Sequence, residues 1–441
     1  MQHRTALVLT LTALLAPQLA PAQSYQVGYG PNPQLPEPDR KLIPTVNVAD
    51  TAPWSADQKP MAPAGFSVSA YAGNLDHPRW VYALPNGDVL VAETNAPPKP
   101  DDAKGIKGAV MKHMQKKAGA VTESANRITL LRGLDGKGAA QTKTEFIKGL
   151  NSPFGMVLVG NNLYVADTDA VLRFPYKEGE TSIATQGTKV MDLPAGTINH
   201  HWTKNITASP DGKFLYVTVG SNSNVAENGI EAEQGRAAIW QFEIATSKSK
   251  VYASGLRNAN GMGWEPQTKT LWTTVNERDE LGNDLVPDYM TSVKEGGFYG
   301  WPYSYFGQHV DKRVSPQKPE LVAKAIVPDY ALGAHTASLG LTFYDHTLFP
   351  QPYRGGVFIG QHGSWNRKPH SGYKVVFIPF SGGKPSGPPQ DFLTGFLNKE
   401  DKAQGRPVGV AVDKQGALLV ADDVGNTIWR VAPVAAKTAS R

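Results

Sequence analysis

From Gly65 onward the chain repeats one pattern of polar and apolar positions. A turn of Asn, Asp or Gly is followed by a short strand of β-branched, aliphatic or aromatic residues. The clearest copies are Leu84–Glu93, Val159–Asp167, Ser209–Thr218 and Val412–Asp422; Glu265–Thr274 and Tyr353–Gly360 are weaker relatives. Each has the form of a β-hairpin, because the turn residues tolerate the backbone reversal and the run that follows fits a pleated, buried strand. Six such units at spacings of roughly 50 to 85 residues are too far apart for single-strand repeats, which favours a radial repeat over the competing two-sheet sandwich. They predict an all-β fold, a six-bladed β-propeller of four-stranded antiparallel sheets spanning residues 65–434, whose ring closure removes long exposed sheet edges. Helical periodicity is scarce. It is confined to Lys104–Ala120, inside an insertion at about 96–126, and to Gly229–Gly235.

The segments outside the repeats read differently. Residues 1–22 begin with Arg4 and an apolar run from Thr5 to Leu15, then reach Ala20-Pro21-Ala22. This is the form of a secretory leader cut after Ala22, and the run is shorter than the ~20 residues of a membrane span. The expectation is a periplasmic or secreted protein without a transmembrane segment. Residues 23–64 are proline-rich and aperiodic, as in an extended arm over the domain surface, and 435–441 form a short tail.

Composition narrows the chemistry. The chain of 441 residues has no cysteine, which excludes disulfides, thiolate catalysis, iron–sulfur clusters and covalent haem attachment. Redox chemistry would need a cofactor held without a covalent bond. The formal charge is +5, and Lys99, Lys104, Lys107, Lys112, Lys116 and Lys117 supply much of it in the insertion. No nucleic-acid motif accompanies them, so the run reads as a solvated face and no nucleic-acid partner is expected.

Propellers carry their functional residues on loops around the central channel. Ile198–Ile206 brings His200 and His201, side chains suited to proton removal near neutral pH, together with Lys204. Gly255–Trp264 combines Arg257 with Asn258 and Asn260, a donor cluster for anionic or carbonyl oxygens. Asn276–Leu285, running towards Glu295–Pro302, gathers acidic and amide oxygens of the kind calcium takes, without the spacing of an EF-hand. His335, Thr336, His362, Arg367 and Arg406 lie in further loops beside predicted strands. Each of these residues taken alone also has a purely structural reading, as a loop histidine or an arginine tying segments together.

Taken in order, Asn199-His200, then Gly255-Leu-Arg-Asn-Ala-Asn-Gly261, then Asn276–Asp284, then Gly296-Gly-Phe-Tyr-Gly-Trp-Pro302 resemble the soluble quinoprotein sugar dehydrogenases. The likeness is greatest to the L-sorbosone dehydrogenase branch of the glucose/sorbosone dehydrogenase family, and it spans about Gly65 to Pro433. The resemblance implies pyrroloquinoline quinone at the channel mouth, with a calcium ion bridging it to the protein. It makes His200 the catalytic base and places Arg257 beside the reactive quinone carbonyl. Lys204, Asn258, Asn260, His335, Thr336, Arg367 and Arg406 become cofactor contacts. Arg278 and Asp279 stand where the family supplies calcium-binding carbonyls from a Gly-Pro pair, so Asp279 could also bind through its carboxylate. The family's cofactor-gripping lysine has no clear counterpart. The implied reaction oxidises a sugar or sugar-derived aldehyde and passes electrons to a separate acceptor, such as a cytochrome or quinone. Two alternatives stay open on the residues alone: a calcium-dependent lactonase propeller, and a non-catalytic propeller that binds sugar or protein.

Overall fold

The computed structural model describes residues 26–39, 45–98 and 122–434. The expected leader, most of the lysine-rich insertion with its expected helix, and the tail lie outside these residues. Among the described residues no helix is long and apolar enough to cross a membrane.

Six antiparallel sheets follow one another around a ring, as the hairpin spacing predicts. Blade one comprises Pro78–Ala83, Val89–Glu93, Arg127–Arg132 and Thr142–Lys148. Blade two comprises Met156–Val159, Asn162–Ala166, Ala170–Pro175 and Thr188–Asp192. Blade three begins with Ile206–Ala208 and Phe214–Val219, blade four with Ala259–Trp264 and Leu271–Val275, and blade five with Ser338–Phe343 and Val357–Gln361. Blade six is built from Pro407–Val412, Leu418–Asp422 and Thr427–Pro433, and its fourth strand is Phe66–Ala72 from the start of the domain. The ring is thus sealed by a strand from each end of the domain, which fixes both ends by pairing them with each other.

Two blades depart from four strands. Blade three gains the short strand Gly297–Phe298, which pairs parallel to Lys248–Ser254, and blade four gains Tyr29–Gly30 from the N-terminal segment. Among the described residues helix is nearly absent; Gly229–Gly235 supplies a 3-10 turn, Ile230–Glu233, Gln351–Tyr353 another, and Pro319–Val322 an α-turn.

The second strands are buried almost throughout. Val89–Glu93, Leu271–Val275, Val357–Gln361 and Leu418–Asp422 have no exposed residue, because each is covered by a neighbouring blade on both faces. Continuous apolar runs are what such strands need. Glycine lets the inner strands approach closely: a Cβ at Gly340 or Gly360 would collide with the carbonyl oxygen of Val408 in the next blade.

Residues 45–64 run across blades five and six. Asn47 bridges Asn366, Thr51 bridges Ala403 and Met61 bridges Thr394, and the Trp54 indole donates to Asp422 Oδ2 at 2.9 Å.

Candidate functional site

Every one of the six recurring hairpins joins the first strand of a blade to its second. All six turns therefore lie on one face of the ring. The starts of the first strands and the ends of the second strands share the opposite face, where the connecting segments converge on the channel. Arg79, the segment Asn199–Lys204, Arg257 with Asn258, His335 with Thr336, and Arg406 occupy the first set of positions. Ser221, Asn276–Asp279, His362 and Asp423 occupy the second. Residues far apart in sequence are gathered by topology alone.

Arg257 is fixed by several acceptors. Its Nε donates to the Asn224 carbonyl at 3.2 Å, its NH1 to the carbonyls of Asn276 and Glu277 at 3.2 and 2.7 Å, and its NH2 to Asn224 Oδ1 at 3.0 Å. A guanidinium has five N–H groups, so one remains on NH2, which lies 3.6 Å from Asp279 Oδ2. The charge is rigidly placed, with a single hydrogen left over.

Asp279 is surrounded by donors. Its Oδ1 accepts from Asn366 at 2.7 Å and lies 3.3 Å from His335 Nδ1, while its carbonyl accepts from Arg313 at 2.9 Å. Burial alone would raise the Asp279 pKa, but the His335 and Arg257 partners outweigh it and hold the carboxyl below its usual range. Burial likewise works against a charged His335, yet the Asp279 carboxylate leaves its pKa raised. Arg278 is fully buried, and its guanidinium is spent on Glu277, Asp311 and the carbonyls of Pro302 and Ser304. It can offer a cation only its main-chain oxygen.

Of the two adjacent histidines, His201 has a ring nitrogen whose partners define its tautomer. His201 Nδ1 lies 2.8 Å from the Ser221 carbonyl and 3.0 Å from Ser221 Oγ. A carbonyl only accepts, and the hydroxyl already donates to Ser223 O at 2.7 Å, so Nδ1 must carry the hydrogen. The neutral ring then has Nε2 as its basic nitrogen. Gly220 permits this placement, since a Cβ there would stand 2.5 Å from both His201 Cβ and Asn258 Oδ1. His201 and the Asn258 amide are therefore neighbours across the Gly220 backbone. His200 is half-buried, one residue earlier.

Lys204 is fully buried, and its Nζ donates to the carbonyls of Trp202 and His201 at 3.1 and 3.4 Å. Burial first, and Arg236 second, hold its pKa well below the ordinary value. It braces the segment that carries the histidines. Thr336 bonds Asp288 Oδ2 at 3.0 Å and Ser338. Arg367 turns to Asp284 and the Pro369 carbonyl, and shares no partner with Arg257 or Arg406.

On the other side of the channel, Arg406 stacks 5.0 Å from the Tyr373 ring and donates to the Tyr373 hydroxyl at 3.0 Å. Beside it stands a cluster of which the sequence singled out His362 alone. Asp423 Oδ2 accepts from Arg79 at 2.9 Å and His362 at 2.8 Å, with His77 at 3.5 Å. Burial lowers the His362 pKa to about 4, so this ring is neutral near pH 7 and acts as a donor. Arg79 was hidden in the sequence because its partner Asp423 lies at the opposite end of the chain. The usable signal is position: Asn224, His362 and Asp423 all fall just after the second strand of a recurring hairpin unit.

Several buried polar atoms on this face have no partner among the described residues: Arg79 Nε, Asn258 Oδ1, Asn260 Oδ1, Gln361 Oε1, Asn366 Oδ1, Arg406 Nε and Asp423 Oδ1. Buried polar groups left unsatisfied are costly and point to a ligand or water that completes them. Of these atoms the Nε groups of Arg79 and Arg406 are donors suited to an anionic, carbonyl-bearing cofactor, whereas the five oxygens accept and call for N–H or O–H donors or a cation. Among the described residues no three His, Asp or Glu side chains converge as a metal cage. A cation held wholly by side-chain carboxylates therefore does not fit. One sharing ligands with an anionic cofactor fits better, with Asp279 Oδ2 and main-chain oxygens as the protein's contribution.

Comparison with known proteins bears directly on this arrangement. Residues 60–295 and 312–433 match the TrAA12-like family. A pyrroloquinoline quinone-dependent pyranose dehydrogenase from Coprinopsis cinerea is 24% identical over 362 residues, covering 71% of this chain and 44% of that protein. An aldose sugar dehydrogenase from Escherichia coli is 29% identical over 164 residues, covering 34% of this chain and 42% of that protein. The alignments thus span less than half the length of either dehydrogenase. An uncharacterized protein of Borreliella burgdorferi is 30% identical, with 64% of this chain and 76% of that protein covered. Among solved structures, the holo form of the Coprinopsis cinerea pyranose dehydrogenase quinone domain superposes with a TM-score of 0.68 at 19% identity, covering 87% of this chain and all of that one. A calcium structure of the Trichoderma reesei AA12 enzyme gives the same TM-score at 18% identity, with 88% and 99% covered. These two likenesses establish the shared propeller fold.

Proposed function

Because the chain belongs to the TrAA12-like family, we propose that it is an oxidoreductase that oxidises a sugar or sugar-derived aldehyde with pyrroloquinoline quinone. The observation that carries the reading is the pair of buried guanidinium donors on the channel face, Arg79 Nε and Arg406 Nε, that have no partner among the described residues. Relatives that use the quinone and a neighbour solved with calcium support both cofactors. L-sorbosone and aldoses are the substrate types we favour. The leader-like start of the chain supports a periplasmic or secreted location, and a separate cytochrome or quinone would take the electrons.

In this reading Arg406 and Arg79 would hold the carboxylates of the cofactor, and the free amide oxygens of Asn258, Asn260 and Asn366 would accept from its N–H or O–H groups or from a cation. His335 and Thr336 line the side nearest Asp279. Calcium would take Asp279 and the main-chain oxygen of Arg278. The quinone, when bound, supplies the acceptor for the hydride equivalent lost by the substrate carbon. The protein supplies the base and a fixed field. A histidine removes the proton from the anomeric hydroxyl or aldehyde hydrate, the kind of transfer that contributes roughly 10²- to 10⁴-fold. Sequence places that base at His200; the defined Nδ1 bond to Ser221 favours His201, whose Nε2 is then basic. Arg257 cannot reorient, because four of its N–H groups are committed, so its charge is preorganised and costs little rearrangement during reaction.

The lactonase alternative requires carboxylates or amides converging on a metal from several blades, whereas here Asp279 is matched to Arg257, His335 and Asn366. The test of the reading is a titration of the purified chain with pyrroloquinoline quinone, followed by absorbance. Saturable binding is expected in the wild type, weakened about 10-fold or more in Arg406→Ala by loss of a charge-assisted contact. Absence of binding, or equal binding by the variant, counts against it.

A further inference from the structure

A cleft of about 470 Å³ opens between the connections of blades one to three, beside the histidine segment, and nothing in the reaction described above uses it. Its polar wall is Asn151, Thr168, Asp169, Thr197 and Asn199, and its apolar side includes Pro97 and Pro98. The volume falls within the range of small-molecule sites.

The deep wall is built rather than incidental. Asn199 is buried, and its Oδ1 accepts from Arg236 at 3.0 Å. That contact fixes the amide orientation, with Nδ2 donating one hydrogen to Thr168 Oγ1 at 2.9 Å. An amide nitrogen has two hydrogens, and the second is left to the cleft that Asn199 lines. Thr168 in turn donates to the Trp202 carbonyl at 2.9 Å, which Lys204 also holds. The cleft and the segment bearing His200 and His201 therefore share one hydrogen-bonded wall.

The chemistry of the lining selects the ligand class. One exposed carboxylate, two amides and two hydroxyls offer both donors and acceptors at close spacing, the need of vicinal hydroxyl groups. The proline rings present flat C–H surface. An anion is disfavoured by Asp169, and the nearby cation Arg236 is spent on Asn199 and the carbonyls of Gly220 and Ala195. Neither the histidines nor Arg257 and Asn258 line the cleft, so a sugar ring seated here is offset from the ring that is oxidised.

We infer that this cleft binds a neutral sugar unit adjoining the reacting one, which makes the preferred substrate an oligosaccharide or glycoside rather than a free monosaccharide. The inference rests on the sugar-oxidoreductase reading for its substrate, and its binding test does not. The full chain without added quinone is titrated calorimetrically with cellobiose and with glucose. Wild type is expected to bind cellobiose at least about 10-fold more tightly than glucose, and Asp169→Asn combined with Asn151→Ala to remove that advantage, as expected for lost charge-assisted bonds. Both residues are exposed, so an unchanged melting temperature should confirm folding; Thr197→Ala provides a second, independent loss if the double variant is unstable. Equal affinity for the two sugars in the wild type, or variants that bind cellobiose like the wild type, overturns the proposal. With no quinone present, failure of the dehydrogenase reading would leave this titration untouched.

Discussion

At the residue scale, the decisive pair is His200 and His201. The Ser221 carbonyl at 2.8 Å compels His201 to carry its hydrogen on Nδ1, so the geometry predicts that His201→Ala lowers turnover by about 10²-fold or more. His200→Ala should do much less. Steady-state rates of the two variants at saturating quinone decide between them, and the reverse order would restore the base to His200. A second prediction concerns Asp167, whose Oδ2 accepts from the Asn151 amide at 2.8 Å while Oδ1 is buried without a partner. Burial raises its pKa from 3.8 to about 7, against the lowering effect of that amide. The folded state therefore holds the proton more tightly than the unfolded chain. This contribution to stability is present in full below about pH 4 and is lost as pH rises through about 7. Asp167→Asn should flatten the decline in urea-unfolding free energy between those limits and exceed wild type at pH 8; an unchanged slope would show that Asp167 is ionised in the fold.

At the element scale, the inner strands are held apart by little more than glycine. A Cβ at Gly340 would meet the Val408 carbonyl oxygen across the boundary of blades five and six, and neither partner is the end of a flexible side chain. Gly340→Ala should cost about 1–3 kcal/mol, the usual range for overpacking, read as a lower urea midpoint with an unchanged slope. A neutral substitution would mean that the blades can slide. The same scale explains what was legible in the sequence. The first two strands of each blade announce themselves, since the turn of Asn86-Gly87 or Asp211-Gly212 sits beside a continuous apolar run. Outer strands such as Thr142–Lys148 and Lys248–Ser254 carry mostly exposed or half-exposed residues, so their apolar signal is weak. Candidate residues inside dense local motifs, Arg257 and Asp279 among them, stood out in the sequence for the same reason. Arg79, Asn224 and Asp423 were not, because their meaning lies in contacts across blades: Arg79 and Asp423 pair over 344 positions.

At the scale of the whole molecule, ring closure turns six ordinary hairpins into a site. Phe66–Ala72 pairs with Thr427–Pro433, which brings blade six against blade one and so places Arg406 and Arg79 on a common rim around Asp423. Arg257 and Asp279 face them from blade four. An anionic cofactor spanning the channel would meet guanidinium groups on two sides and the histidine segment of blade three on a third. The central claim is that this assembled face works through a quinone. The most direct measurement is dye-linked oxidation of a sugar panel by protein purified from a host that does not make pyrroloquinoline quinone. The account predicts no activity as purified, activity on addition of the quinone with calcium, and none with NAD. Full activity with NAD alone, or none after the quinone is shown to bind, would contradict it.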